Sequence, residues 1–281
     1  MSALALGLLA ALCWGIHDIT IRYLSKSVPL MAALLTVLIV GAVFQASILA
    51  VLSATFVFEP RALALACGAG VAFLFANLGL YYAFERGPVR IVSPLIASYP
   101  ILSILFAVAS GASVSVFDWV AVLAIVIGVG LVAAVSDPAE DHSPPLGPTV
   151  VFSLISACGF AGTFKLGQLA AEVSGELPAT LIARLTALVC LVLVIGYKAG
   201  PFFPGRRALI PLCIMGLLDG IALLSVISAA PLANPEYASV AASVFGMLTI
   251  LLAWAFLKER MSAPQWAACL LTFAGIAFLA L

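Results

Sequence analysis

The chain has 281 residues, 65% of them hydrophobic and 9% charged, with 12 basic and 12 acidic side chains and no net charge; its mean hydropathy is +1.27. A soluble domain carries charge on roughly a quarter of its residues, so this chain has too little charge to cover itself in water, whereas lipid tails accept apolar side chains directly. The neutral balance gives no basis for a nucleic acid or other polyanion as partner.

A helix needs ~20 apolar residues to cross the hydrocarbon. Runs of that kind fall at 3–24, 31–56, 62–84, 91–110 and 117–135, and resume at 148–171, 178–198, 207–230, 237–256 and 263–281. Proline, glycine and charge punctuate them, as at Pro29, Glu59-Pro60-Arg61, Gly87-Pro88 and Lys258 to Pro264. The pattern predicts an all-α integral membrane protein with ten transmembrane helices.

No basic residue precedes the first run, since the first Lys or Arg is Arg22. A signal peptide carries a positive n-region, so this run is expected to be a retained span. Trp14, His17, Asp18, Ile21 and Arg22 recur along it at helical spacing and share one face. Ionisable residues within spans are costly and mark functional sites by default. Asp18 and Arg22 stand in the acid-first i, i+4 order that favours a helical salt bridge. His17 titrates near neutrality even when unperturbed, and with Asp18 it could take up and release a proton. The structural alternative is that Arg22 reaches the membrane surface and Asp18 only pairs with it.

The third run places Asn77, Tyr81 and Glu85 at steps of four, with Tyr82 alongside. The fourth adds Tyr99 and Ser103, and the ninth Ser239, Ser243 and Gly246 on one face. Tyrosines and hydroxyls combine hydrogen bonding with apolar area, which suits a cavity for a mid-sized organic solute; Trp14 and His17 are expected to line the same space. For the ninth run, a stripe of small residues is also the ordinary means of close helix packing. Trp119 and Trp266 open their spans as interfacial anchors. Arg184 is expected to snorkel toward the surface. Cys13, Cys67, Cys158, Cys190, Cys213 and Cys269 lie in apolar runs without a CxxC, and read as packing residues rather than disulfides or metal ligands.

The stretch 136–146 is the long polar linker, and it divides the chain into 1–135 and 147–281, five runs each. An offset of 147 brings Gly15 onto Gly162, Pro88 onto Pro235, Ser115 onto Ser262, Trp119 onto Trp266 and Gly128 onto Gly275, which points to an internal repeat. A duplicated unit with an odd number of spans must re-enter the membrane from the opposite side. The two five-helix repeats are therefore expected to be inverted, around a central cavity, as in many secondary carriers. The offset also sets Asp18 opposite Lys165. These could meet near the pseudo-axis or hold the two charges of a zwitterion. The alternative is that Lys165 pairs with Asp219 so that neither is buried alone.

With ten spans, one side of the membrane carries Arg22, Lys26, Arg86, Arg90, Lys198, Arg206, Arg207, Lys258 and Arg260, and the other Arg61. The positive-inside rule puts the basic side in the cytoplasm and both termini outside.

Phe256-Leu257-Lys258-Glu259-Arg260-Met261-Ser262, followed by Gln265-Trp266 and Gly275, resembles the end of a repeat in the EamA family of the drug/metabolite transporter superfamily. The small-residue run 238–243, Tyr99-Pro100 and Trp14-Gly15 are also similar. The resemblance covers the whole chain in layout and is strongest over 229–281. It implies ten helices around a cavity in a cell membrane, the inner membrane of a bacterium, and export of amino acids, bases, sugars or related metabolites. The chain departs from the family where Gly111-Ala112-Ser113 stands in place of a Lys-Glu-Arg cluster, where Arg61 stands alone in its loop, and in orientation, since the family implies cytoplasmic termini.

The sequence lacks HExxH, GxSxG and P-loop motifs, and nothing in it calls for a cofactor or metal. No ring of like charges suggests a channel filter, and no pair of interrupted helices announces a sodium site. The expectation is a secondary transporter of small organic metabolites, amino acids or related compounds foremost, functional as a monomer in lipid. Protons are a candidate coupling ion through His17, Asp18, Arg22, Lys165 and Asp219. A facilitator or exchanger for nucleobases, sugars or drugs, or an intramembrane enzyme, are the alternatives.

Overall fold

A computed structural model describes residues 2–52, 59–109, 115–135, 145–232 and 235–279. Among these, every regular element is helical, in the order α1 (Ala3–Leu24), α2 (Leu30–Val51), α3 (Pro60–Arg86), α4 (Val89–Ala97), α5 (Pro100–Ala109) and α6 (Val116–Val135). There follow α7 (Leu146–Ser174), α8 (Glu176–Tyr197), α9 (Leu209–Ile227), α10 (Glu236–Ala242), α11 (Phe245–Leu252) and α12 (Ala263–Leu279). A 3₁₀ turn, Arg206–Ala208, leads into α9, and a π-helical turn, Ala253–Leu257, extends α11. Seven helical stretches are long and apolar enough to cross a membrane, and Val89–Leu102, Val116–Gly128 and Ala263–Phe278 are shorter apolar ones. This is a multi-pass membrane protein. Residues 136–144 of the polar linker, with His142, lie outside the described residues, as does 110–114.

The helix ends follow from local chemistry. The Glu59 carboxylate accepts from the Ala62 amide and caps α3. Ser115 and Asp118 exchange side-chain and backbone hydrogen bonds at the start of α6, and Ser262 and Gln265 do the same before α12; both are capping boxes. Gly175 alone separates α7 from α8, at φ +83, where an L side chain would be strained.

The fourth and ninth spans are not the continuous helices the apolar runs suggested. Pro100 has no N–H to donate and its ring crowds the carbonyl of Ile96, so α4 ends at Ala97. The chain then turns tightly, Ser98 N to Leu95 O and Tyr99 N to Ile96 O, before α5 begins. The second break carries no proline. There Val244 N reaches Ala241 O at 3.2 Å and Met247 N reaches Val244 O at 3.0 Å, three-residue steps between α10 and α11. Two spans are thus interrupted, a feature the sequence did not announce. Pro88 and Pro235 occupy the N-cap positions of the two broken spans.

Contacts recur when the two halves are exchanged. α3 packs along α7 and α1 along α9; α4 meets α7 while α1 meets α10; α2 meets α8, α4 meets α11, and α6 meets α12. Small residues bring backbones together. A Cβ on Gly159 would lie 2.5 Å from the Ala76 amide nitrogen of α3, and one on Gly246 would lie 2.9 Å from the Ala97 Cβ, where the broken helices cross. Gly128 and Gly275 play matching parts between α6 and α12, a Cβ on either falling 2.8 Å from a carbonyl of the partner helix.

Candidate functional site

Midway along α1, Trp14 donates its Nε1–H to Asp219 Oδ1 on α9 at 3.0 Å. The other oxygen of Asp219 accepts from Arg184 Nη1 on α8 at 2.6 Å, and the Asp219 carbonyl from Nη2 at 3.3 Å. Arg184 Nε donates to Gln45 Oε1 on α2, and its guanidinium lies 5.2 Å from the Phe73 ring centre. Arg184 is 0% exposed, so it does not snorkel. The close approach of Gly41 leaves room for the guanidinium inside the bundle, and the acid beside it balances the charge. Asp219 therefore pairs with Arg184, not Lys165, which is exposed on α7.

One turn further along α1, His17 and Asp18 are each 1% exposed. His17 Nδ1 lies 2.9 Å from Asp18 Oδ1, and His17 Nε2 lies 3.3 Å from the Tyr81 hydroxyl on α3. A tyrosine hydroxyl both donates and accepts. The imidazole can thus be satisfied neutral, donating to Asp18 and accepting from Tyr81, or protonated, donating to both. Asn77, a turn before Tyr81, donates to the Phe73 carbonyl of its own helix. His17, Asp18, Asn77, Trp14 and two phenylalanines from the other half enclose a narrow void between the halves, in which no water fits in this conformation.

The two broken helices border this region. Tyr99, at the first break, is fully buried and donates its hydroxyl to the carbonyl of Ser239 on α10. Ser243, at the second, donates to Val240 O at 2.6 Å. The Tyr99 ring lies 5.3 Å from Phe164, Phe164 lies 5.7 Å from Phe160, and Trp14 lies 5.8 Å from Phe160 and 6.3 Å from Phe245, ring centre to ring centre. Tyr82 turns instead to Phe152 of α7, 5.4 Å away, and does not line the void. Ser103 lies on α5, with its side chain outside the described residues.

At the basic end, Arg22 does not pair with Asp18. Its Nε donates to Glu259 Oε1 at 3.0 Å and its Nη1 to the Phe84 carbonyl at 2.7 Å. Glu259 Oε2 accepts from the Val89 amide at 2.9 Å. Glu259 thereby joins the last turn of α1 to the first turn of α4, and Arg22 adds the end of α3. Asp18 Oδ1 faces His17, while Lys165 is exposed on α7. Sequence reasoning missed Arg184, Gln45 and Glu259 as partners, and Phe160 and Phe245 as walls of the void. Phe160 carried a signal, standing four residues before Phe164 in the sixth span, a spacing that reads equally as packing.

The family model for EamA-like transporters matches residues 1–134 and 147–281. A protein of Archaeoglobus fulgidus described as an uncharacterized transporter is 24% identical over 287 residues, covering 93% of this chain and 92% of its own. A crystal structure of another protein shares the fold with a TM-score of 0.73 at 16% identity, over 99% of this chain and 98% of that one. With both halves matched, the chain belongs to the EamA-like transporter family, within the drug/metabolite transporter superfamily.

Proposed function

We propose that this protein is a secondary transporter, not an enzyme, that exports small organic metabolites, amino acids and related compounds foremost, across the bacterial inner membrane. The observation that carries the reading is a buried polar chain, Asp18–His17–Tyr81, beside a narrow void lined by Phe245 of the interrupted ninth span and by Phe160, whose ring lies 6.3 Å from that of Tyr99 in the interrupted fourth span. Short or interrupted spans in matching positions mark the solute site of carriers built from inverted repeats. The exchange-symmetric packing supports two five-helix units, 1–135 and 147–281, inserted in opposite senses as ten spans. Two such units have two near-equivalent packings, opening to opposite faces, which is the requirement for alternating access. His17 accommodates a proton with both ring nitrogens partnered, and this supports proton coupling. The duplicated chain closes its own void, so one copy suffices.

The test is a counterflow screen in liposomes, with pooled radiolabelled amino acids, nucleobases and sugars, with and without a pH gradient. Gradient-driven movement of one class, lost in Asp18→Asn, is the expected result. Movement insensitive to both identifies a facilitator or exchanger. Absence of movement for every class counts against the carrier reading.

A further inference from the structure

The carboxyl of Asp18 is half used. Its Oδ1 meets His17 Nδ1 at 2.9 Å, while Oδ2 is buried and has no hydrogen-bond partner. A buried acceptor left unsatisfied is costly, and native structures rarely keep one without a purpose. Asp18 borders the void, and so do the rings of Trp14, Phe160 and Phe245. One side of this space is therefore lined by an aspartate with an unpartnered carboxylate oxygen and another by aromatic residues. Both favour the same kind of guest, because a cation is attracted to a carboxylate and to the face of an aromatic ring.

The charge of the neighbouring residues narrows the guest further. A carboxylate on the solute would need a cation of the site, and the buried guanidinium nearby is committed. Arg184 donates through Nη1 and Nη2 to Asp219 and through Nε to Gln45. The Trp14 N–H is also taken by Asp219. We infer that Asp18 Oδ2, with the rings of Trp14, Phe160 and Phe245, forms the recognition site for the ammonium group of an organic amine with an apolar or aromatic body. The inference rests on the carrier reading and specifies its substrate class. Outward movement of α11, which carries Phe245, from α1 would open the void to such a molecule.

The probe is β-phenylethylamine, compared with 3-phenylpropionate, which has the same ring and a carboxylate in place of the ammonium. Binding to the purified protein in detergent is followed by calorimetry. Binding of the amine, at least ~10-fold tighter than of the acid and weakened at least ~10-fold by Asp18→Asn, is expected for a charge-assisted hydrogen bond. Phe245→Leu keeps the apolar wall and removes its π face, and is expected to weaken the amine several-fold. No binding of the amine to the folded protein, equal binding of the acid, or amine binding unchanged in both variants overturns the inference. Counterflow of zwitterionic amino acids without amine binding would end the inference and leave the carrier standing. Amine binding without movement of any solute would do the reverse.

Discussion

Arg184 Nη1 and Asp219 Oδ2 lie 2.6 Å apart between α8 and α9, with the two side chains 0% and 1% exposed. Neither group can reach water or a headgroup, so each is tolerated only through the other. The remaining atoms are also engaged, by Trp14 on α1 and Gln45 on α2. Helices from both halves thus meet at one ion pair, whose own two charges cancel.

Removing one partner should be worse than removing both. Arg184→Met leaves a carboxylate buried without a counter-charge, and a loss of about 3–5 kcal/mol is expected. Asp219→Leu strands the guanidinium at similar cost. The double variant is expected to recover most of the loss. Thermal unfolding in detergent of the three proteins decides it; a double variant as unstable as the sum of the singles would refute the pairing.

The helix contacts allow a test with an internal control. Gly159→Ala puts a methyl 2.5 Å from backbone of α3, while Gly196 of α8 has nothing within 4 Å of its Cβ position. The first substitution is expected to cost about 1–3 kcal/mol by forcing α3 and α7 apart. Gly196→Ala is expected to be neutral or to stabilise by up to ~1 kcal/mol, since alanine is the better helix former. Equal melting temperatures for the two variants would mean the α3–α7 contact is misplaced.

The polar face of α1 was legible in the sequence, because Trp14, His17 and Asp18 recur at helical spacing and polar residues in an apolar run stand out. Asn77 and Tyr81 were legible for the same reason. Partners were not. Periodicity says which face a residue occupies but not how deep it lies or what crosses to meet it, so Arg184 read as snorkelling although Asp219 waits 35 positions away. Arg22 offered a local partner at i−4, and the distant Glu259 won because it also satisfies the open amide of Val89. Of the two helix breaks, Pro100 marked the first, whereas the second falls at Ser243 and Val244, within a stripe of small residues that reads as ordinary packing.

Glu259 offers a test of the contacts at the basic end. It and Arg22 are 14% and 15% exposed, so the pair contributes modestly, up to ~1 kcal/mol. Glu259→Ala also leaves the Val89 amide open. A small loss of thermal stability is therefore expected together with a several-fold change in transport rate, because the ends of α1 and α4 that Glu259 ties together are released on one face only. Glu259→Asp, which keeps the charge but shortens the reach, should fall between. A rate unchanged in Glu259→Ala would show that these ends do not take part in opening.

Tyr81 separates the proton path from the solute site. Tyr81→Phe preserves the ring beside His17 and removes the hydroxyl 3.3 Å from Nε2. The buried nitrogen then loses its partner, and protonated His17 loses its acceptor. The loss of one hydrogen bond, ~1 kcal/mol, corresponds to about a fivefold drop in rate. The drop should appear in transport driven by a pH gradient, where His17 must change its proton. Exchange of solute at equal pH on both sides needs no such change and should stay near the wild-type rate. Parallel losses in both assays would assign Tyr81 to the architecture of the void, and a drop confined to gradient-driven transport would place it on the path of the proton.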